Sequence, residues 1–239
     1  MTIMSLTPTF YRKISTSICR LKIVPSNLKG KSKSSQDWIT RQLNDEYVKK
    51  SKYDRYRCRS AYKLLEIDER FKIFKPGFFV VDCGAAPGSW TQVVVKKLNL
   101  RESEAGIAVA VDLQYMEDIE GAIVIKQSNF LEQTVQDHIC SLLPNGKCDV
   151  VLSDMAPKAT GTYELDSVAI VTLASSALKF ATKTLKKDGT FLCKLWDCSN
   201  VETMVSSMKN IFSSVKRIKP KASRSDSSEL FLLARGYKL

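Results

Sequence analysis

The stretch of sequence that decides the fold is Val80-Val-Asp-Cys-Gly-Ala-Ala-Pro-Gly-Ser-Trp90. It has the pattern of an apolar strand that enters a glycine turn and continues as a helix. Ligands of open α/β sheets bind at the carboxyl ends of the strands, where such turns lie. Gly84 and Gly88 allow the backbone to pass close to a ligand, and Pro87 stiffens the turn. The stretch therefore predicts a ligand site at the end of a parallel strand.

The glycine spacing narrows the class of ligand. Ala86 and Ser89 stand where the dinucleotide pattern G-x-G-x-x-G has its second and third glycines, which disfavours close approach of a pyrophosphate. A nucleoside ligand without a pyrophosphate fits better, and S-adenosylmethionine is one. Asp112 follows the next strand, where its carboxylate is placed to accept hydrogen bonds from ribose hydroxyls.

Strands and helices alternate on both sides of this turn, which predicts a mostly parallel sheet with helices on both faces. Ser60 is expected to cap a helix that runs through Phe71, and the residues from 186 to 189 are expected to stop another helix. Further helices are predicted from after Trp90 to about Leu98, and at 131–143, 165–185 and 201–212. Strands are predicted at 78–83, 106–111, 122–125, 150–153, 190–195, 215–218 and 230–234.

The first 36 residues of the 239-residue chain differ in composition from the rest. They contain seven basic residues, no Asp or Glu, and many hydroxyl side chains. This composition is typical of a mitochondrial transit peptide, and a disordered basic tail is the alternative. The chain carries a net charge of +12, and without these seven residues it holds 30 basic and 25 acidic residues. Much of the positive charge therefore lies in the predicted leader, and residues 37–239 form the predicted functional domain.

A second basic segment spans residues 47–63. Seven basic residues and four tyrosines are interleaved there, and Asp54 is the single acid. Cations neutralise phosphates and flat rings stack on unpaired bases, so this mixture suits RNA. A solvated basic helix face is the alternative interpretation. The residues expected to contact phosphates are Lys49, Lys50, Lys52, Arg55, Arg57 and Arg59.

Composition also excludes several classes of protein. No apolar run reaches the roughly 18 residues of a membrane-spanning helix. The seven cysteines are odd in number and lack C-x-x-C spacing, so free thiols in a reducing compartment are expected. His138 is the only histidine, which argues against histidine-based metal sites and nucleophile–histidine mechanisms.

Four charged residues lie at or near the ends of predicted elements. Lys194 stands inside an apolar strand, and a lysine there is costly to bury unless it is paired. A lysine on an edge strand, or one that extends its amine to solvent, is the alternative. The other three are Lys63, Asp154 and Glu229.

Together these residues and motifs resemble the FtsJ/RrmJ-type RNA ribose 2′-O-methyltransferases. The resemblance extends from about Asp37 to the C-terminus. It is carried by Tyr56-Arg-Cys-Arg-Ser-Ala-Tyr-Lys-Leu-Leu65, Asp82-Cys-Gly-Ala-Ala-Pro-Gly-Ser-Trp90, Ser153-Asp-Met-Ala-Pro157, Ala159-Thr-Gly161, Phe191-Leu-Cys-Lys194 and Lys219-Pro-Lys-Ala-Ser-Arg-Ser-Asp-Ser-Ser-Glu229. The family's Lys-Asp-Lys-Glu catalytic tetrad falls on the four residues Lys63, Asp154, Lys194 and Glu229.

The resemblance implies a Rossmann-like methyltransferase fold with a seven-stranded sheet and S-adenosylmethionine as cofactor, without a metal. It also implies that Lys194 accepts the proton of the ribose hydroxyl, which requires a neutral amine. Asn129 stands where the bacterial enzyme has an aspartate facing the adenine, and its amide can still hydrogen-bond there. The implied cofactor ligands are Gly84, Pro87, Gly88, Ser89, Trp90, Asp112, Ser128, Asn129 and Asp154.

Within the family, the segment from Ser153 to Gly161 is similar to the rRNA branch. Asp37-Trp-Ile-Thr-Arg-Gln-Leu43 resembles the mitochondrial members of that branch. The resemblance therefore implies a uridine in mitochondrial large-subunit rRNA, or in a pre-ribosomal particle, as the target. With the predicted leader, the mitochondrial matrix is the expected location, and a monomer is expected. Three alternatives stay open: a tRNA methyltransferase of the same family, a non-catalytic ribosome-assembly factor, and a nicotinamide-dependent oxidoreductase. The broken glycine pattern disfavours the last, and the intact tetrad disfavours the assembly factor.

Overall fold

The computed structural model describes residues 25, 28–30, 32–102 and 105–239. The described residues fall into two units, one that ends at Asp45 and one that spans Glu46–Leu239. In the first unit, helix α1 spans Lys33–Asn44, and the backbone N–H of Ser35 donates to the Ser32 hydroxyl at its N-terminus. The predicted leader, residues 1–36, lies largely outside the described residues. Its transit function and its boundary therefore stay predictions.

The second unit is built on a seven-stranded sheet with strand order β3-β2-β1-β4-β5-β7-β6. Its strands are β1 (Phe79–Cys83), β2 (Ile107–Val111), β3 (Ile123–Ile125), β4 (Cys148–Ser153), β5 (Leu185–Trp196), β6 (Phe212–Ile218) and β7 (Glu229–Tyr237). Its helices are α2 (Glu46–Tyr53), α3 (Ala61–Phe71), α4 (Ser89–Leu98), α5 (Gln133–Ser141), α6 (Tyr163–Thr184) and α7 (Val201–Ile211). Strands β1 to β5 are parallel, whereas β7 runs antiparallel between β5 and β6.

Helices cover both faces of this sheet, as the alternating pattern predicts. On one face, Val81 and Val151 pack with residues of α5, α6 and α7. On the other face, Val80 and Leu192 pack with residues of α3 and α4. Because both faces are buried, successive residues of the central strands are apolar instead of alternating with polar ones. The predicted seven-stranded, mostly parallel sheet is confirmed.

Strand β5 is longer than the sequence pattern indicates. Helix α6 ends at Thr184, and Leu185 pairs at once with Cys148 of β4. The next pair joins Val150 to Thr190, so the residues predicted as a helix stop, 186–189, form an irregular bulge within the strand. Asp188 adopts a positive φ of 63° there. The charged residues of this bulge do not resemble a strand in the sequence. The start of β5 depends instead on backbone pairing with β4, which the side-chain pattern does not show.

Helix α6 is, by length and composition alone, long and apolar enough to cross a membrane. Its inner face is nevertheless part of the core. Ile170, Ala177 and Phe180 are almost completely buried, and the Phe180 ring packs edge-on against Phe130 with 5.3 Å between centroids. These contacts are those of a core helix in an α/β fold.

The glycine turn after β1 passes very close to the chain that leaves β4. Gly84 has a φ of +76°, and a Cβ added to it would lie 2.8 Å from both the backbone nitrogen and the Cα of Met155. Such a distance is too short for any side chain, so the two strand ends approach each other only because this residue is glycine. Gly161 also has a positive φ of +87°, but a Cβ there would meet nothing within 4 Å.

Alanine substitutions at these two glycines distinguish the cost of steric crowding from the cost of a positive φ, because both positions have a positive φ and only Gly84 is crowded. We expect Gly161→Ala to lower the free energy of unfolding by about 1–2 kcal/mol, the cost of left-handed backbone for a non-glycine residue. Gly84→Ala should lower it by clearly more, because the Met155 backbone must also move. Urea unfolding of both variants measures the difference, and equal losses would contradict the close approach.

Candidate active site

The turn formed by residues 84–88, called the cofactor turn below, is fixed to the end of β2. The backbone N–H groups of Gly84 and Ala85 donate to the Val111 carbonyl at 2.9 and 3.1 Å. The N–H of Ala86 donates to Asp112 Oδ2 at 2.9 Å. The predicted turn and the predicted ribose-binding aspartate therefore lie side by side at the carboxyl edge of the sheet.

Three carboxylates occupy the ends of three adjacent strands. Asp82 lies near the end of β1, Asp112 directly follows β2, and Asp154 directly follows β4. These strands are neighbours in the order β2-β1-β4. The carboxyl edge of the sheet therefore carries three acidic side chains on neighbouring strands, although the chain as a whole has a net charge of +12.

Asp82 is a site residue that the sequence analysis missed. Its side chain is almost completely buried, Thr91 Oγ1 donates to Oδ2 at 2.7 Å, and Oδ1 has no hydrogen-bond partner among the described residues. Burial raises the pKa of Asp82 to about 7; the charges of Asp154 and Asp112 add to this rise, and the Thr91 hydrogen bond opposes it. The sequence does contain a signal for Asp82, because an acid within an apolar strand is as costly to bury as the lysine at position 194.

The loop after β3 completes this edge. The N–H of Ser128 donates to the Asp112 carbonyl at 2.9 Å, and the Asn129 side-chain oxygen accepts from the Leu131 N–H at 3.1 Å. Asp112 and Ser128 are therefore joined directly, and Asn129 follows Ser128 in the chain. The predicted cofactor ligands on β2 and after β3 thus gather beside the cofactor turn.

Two other predicted cofactor ligands turn their side chains inward. The Ser89 hydroxyl lies 2.7 Å from Ser60 Oγ, and Trp90 Nε1 donates to the Ser60 carbonyl at 3.0 Å. Both side chains are buried, so Ser89 and Trp90 offer a ligand only their backbone. Ser60 precedes α3 as predicted, but its hydroxyl caps no backbone N–H because it is engaged with Ser89.

The four residues of the predicted tetrad form two ion pairs. Lys63 Nζ lies 2.6 Å from Glu229 Oε2, and Lys194 Nζ lies 2.8 Å from Asp154 Oδ1. Lys194 Nζ also donates to the Asp154 carbonyl at 2.5 Å. All four side chains are mostly buried, with exposed fractions between 11% and 19%.

Strand pairing brings the two ion pairs to the same face of the sheet. Lys194 is opposite Phe231 in the antiparallel β5–β7 pair, so Glu229, two residues before Phe231, lies on the same face as Lys194. Lys63 Nζ, from α3, is 5.9 Å from the centroid of the Phe231 ring. Because β5 lies between β4 and β7, Lys194 is not on an edge strand, and that alternative is wrong.

Glu229 is held ionised by its neighbours. Burial alone would raise its pKa, but the Lys63 charge and the hydrogen bonds from Lys63 and Ser223, with the more distant Lys194 charge, lower it below the usual value. The Ser223 hydroxyl donates to Glu229 Oε1 at 2.7 Å. The carboxylate is therefore fixed at both oxygens.

Glu66 organises the loop that carries Ser223. Its two carboxylate oxygens accept from the backbone N–H groups of Lys221 and Ala222, at 2.6 and 3.0 Å, and one of them accepts from the Tyr47 hydroxyl. This contact holds the loop before β7 against α3, and with it the hydroxyl that orients Glu229. A glutamate on a helix gives no signal of this role in the sequence.

The basic segment divides into exposed cations and half-buried cations that bind backbone carbonyls. Arg57 donates to the Pro87, Glu117 and Asp118 carbonyls, and Arg59 donates to the Ala222 carbonyl. Four of the six cations expected to contact phosphates are exposed: Lys49, Lys50, Lys52 and Arg55.

Comparison with known proteins identifies the family of this fold and site. The family model described as FtsJ-like methyltransferase matches residues 56–237, which contain the cofactor turn and all four tetrad positions. The chain belongs to the FtsJ-like methyltransferase family. The resemblance predicted from the motifs is confirmed, and the protein is a methyltransferase.

Relatives of this methyltransferase match along most of their length. The chain is 44% identical over 218 residues to rRNA methyltransferase 2, mitochondrial, of Drosophila melanogaster, covering 90% of this chain and 87% of that protein. It is 41% identical to ribosomal RNA large subunit methyltransferase E of Xanthobacter autotrophicus, covering 91% and 85%. A Plasmodium falciparum structure described as a ribosomal RNA methyltransferase superposes with a TM-score of 0.67 at 26% identity, covering 76% of this chain and 98% of that one.

The raised pKa of Asp82 predicts a pH-dependent loss of stability. The unfolded carboxyl ionises near 3.8 and the folded one near 7, so the folded state holds the proton longer and its stability falls as pH rises from about 4 to about 7. Asp82→Asn keeps an acceptor for Thr91 and cannot ionise. Its free energy of unfolding, relative to wild type, should therefore increase across this window.

Urea unfolding of both proteins at pH 5, 6, 7 and 8 measures this change. Subtracting the wild-type value at each pH removes the contribution of other titrating groups, Glu229 included. A difference between the two proteins that stays constant over the whole range would contradict the burial of an ionisable Asp82.

Proposed function

We propose that this protein transfers a methyl group from S-adenosylmethionine to a ribose 2′-hydroxyl, at a uridine of mitochondrial large-subunit rRNA. The observation that carries the proposal is the pair of buried ion pairs, Lys194–Asp154 and Lys63–Glu229, beside the cofactor turn. The names of the two relatives, a mitochondrial rRNA methyltransferase and a bacterial large-subunit rRNA methyltransferase, support the choice of RNA.

The donor set fits this cofactor. S-adenosylmethionine carries a sulfonium and an amino group, both cationic, which the carboxylates of Asp112 and Asp154 at the ends of β2 and β4 would face. Asp112 would accept hydrogen bonds from the ribose hydroxyls, and the Asn129 amide would face the adenine edge. When bound, the cofactor supplies an electrophilic methyl group whose leaving group is a neutral thioether, so the reaction needs no metal ion.

Lys194 is the proposed proton acceptor for the attacking hydroxyl. Nζ donates to the Asp154 carbonyl and forms an ion pair with Asp154 Oδ1 at 2.8 Å. These contacts fix the position of Nζ. The amine accepts the hydroxyl proton in its neutral form, with its lone pair turned toward the ribose. A positioned general base contributes about 10²–10⁴-fold to the rate of such a reaction.

Lys63 and Glu229 are proposed to align the ribose. Both Glu229 oxygens are already engaged, one by Lys63 and one by Ser223, so its orientation is set before substrate arrives. Preorganised groups of this kind reduce the entropy that the reaction must lose when nucleophile and methyl group are brought into line. A purely RNA-binding assembly factor has no need of such an arrangement.

The exposed cations of the basic segment are the proposed RNA contacts. Lys49 and Lys52 are exposed on α2, Arg55 follows α2, and the Tyr53 ring is 88% exposed between them. Cations that neutralise phosphates beside a ring that can stack on an unpaired base suit single-stranded or distorted RNA. The large-subunit rRNA or a pre-ribosomal particle is the proposed partner, a monomer of this chain the active form, and the mitochondrial matrix the proposed location.

One labelling experiment with two lysine variants tests the reaction. Lys194→Ala should abolish transfer of label from S-adenosylmethionine to 2′-O-methyluridine in rRNA, while cofactor binding persists. Lys186→Ala is a matched control, because Lys186 also lies on β5 and pairs with an aspartate of β4, Asp149, at 2.9 Å. It should keep wild-type activity.

Nucleoside digestion after incubation with mitochondrial large-subunit rRNA, tRNA and immature ribosomal subunits reads the result. Label in tRNA alone would favour the tRNA branch of the family. Cofactor binding with no label in any RNA would favour the assembly factor. Substantial activity in Lys194→Ala would remove that residue from the role of proton acceptor.

The salt dependence of RNA binding tests the proposed interface. The triple variant Lys49→Gln, Lys52→Gln, Arg55→Gln should reduce the slope of log K against log salt by about 2, because each contact to single-stranded RNA contributes roughly 0.7.

Exposed lysines elsewhere supply a charge-matched control. The triple variant Lys179→Gln, Lys187→Gln, Lys209→Gln removes the same charge from α6, the β5 bulge and α7. Fluorescence anisotropy at several salt concentrations measures both slopes. Equal slopes in the two triple variants would contradict a role for the basic segment.

A further inference from the structure

We infer that Arg57, which the sequence analysis assigned to RNA phosphates, is a positioning residue for the cofactor turn. The inference rests on the proposed function, because it assumes that S-adenosylmethionine binds at this turn. Arg57 does not contact the reacting groups; it acts through the backbone that surrounds the cofactor pocket.

The guanidinium of Arg57 joins the cofactor turn to the loop after β2. Nη1 donates to the Pro87 carbonyl of the cofactor turn and to the Glu117 carbonyl of the loop after β2, both at 2.8 Å. Nη2 donates to the Asp118 carbonyl of the same loop at 2.9 Å. The rigid planar fork of arginine can hold three carbonyls at once, which a flexible lysine cannot do with the same geometry.

The backbone of Arg57 is itself held by the helix that the turn opens. The N–H of Arg57 donates to Gln92 Oε1 at 2.9 Å, and Gln92 Nε2 donates back to the Arg55 carbonyl at 3.1 Å. Gln92 lies on α4, one turn after the cofactor turn. The side chain of Arg57 therefore reaches the turn from a fixed starting point.

Gly88 shows how closely this arginine packs on the turn. Its φ is +107°, and a Cβ added to it would lie 2.7 Å from both Arg57 Nη1 and Ile119 Cδ1. The backbone of the turn thus approaches the guanidinium with no room for a side chain between them. Three of the five N–H donors of Arg57 are spent inside the protein, which makes an RNA phosphate a secondary partner at most.

Arg57→Gln and Arg55→Gln form a matched pair of variants. Each removes one positive charge, and the two positions are two residues apart, but only the Arg57 side chain donates to the cofactor turn. Arg57→Gln should weaken S-adenosylmethionine binding in the absence of RNA by about tenfold or more, as loss of three charge-assisted hydrogen bonds implies. It should leave the salt slope of RNA binding unchanged. Arg55→Gln should leave the affinity for S-adenosylmethionine unchanged and reduce the salt slope of RNA binding. Arg57→Lys should only partly restore the cofactor affinity that Arg57→Gln loses.

Isothermal titration of the full chain with S-adenosylmethionine, together with kinetics at varied cofactor concentration, separates the outcomes. A raised KM for cofactor with kcat restored at saturation supports positioning. A lowered kcat with unchanged KM, or an unchanged cofactor Kd with a reduced RNA salt slope, would overturn it. Absence of cofactor binding in wild type would instead refute the proposed function.

Discussion

A lysine amine in the middle of the sheet is the constraint on which the site depends. Lys194 lies on β5 between two other strands, and its side chain is only 11% exposed. A buried charge is tolerated only when it is paired, and removing one partner of such a pair costs about 3–5 kcal/mol. Asp154 supplies that partner from the end of β4, the strand next to β5, so the strand order of the fold brings the two charges together.

The antiparallel strand β7 extends this arrangement. Because β7 runs opposite to β5, its first residue, Glu229, reaches the carboxyl edge of the sheet where the parallel strands end. A parallel strand at this position would begin at the opposite edge. The reversal therefore brings a carboxylate and its partner Lys63 beside Lys194, and Glu66 keeps the preceding loop in place. One change of strand direction completes the tetrad.

The sequence was sufficient for the parts of the site that follow strand ends and motifs. Lys194 and Asp82 are both charged residues within apolar strands, and the same argument applied to each identifies both. The roles of Arg57, Arg59 and Glu66 depend on backbone carbonyls and N–H groups supplied by distant loops, and the type of a residue gives no sign of such partners. The early start of β5 is hidden for a similar reason, because pairing with β4 overrides the charged pattern of residues 186–189.

The internal contacts of some cations lower the number that the segment at residues 47–63 can offer to RNA. Lys63 serves the tetrad, and Arg57 and Arg59 bind backbone carbonyls, so only four of its seven cations remain exposed on the surface. Counterion release scales with the cations that reach phosphates, not with the total in the sequence. Under the proposed function, the segment therefore serves the cofactor turn through Arg57 and RNA through its four exposed cations. The proposed function then assigns the choice of a single nucleotide to the shape of the RNA more than to electrostatic affinity.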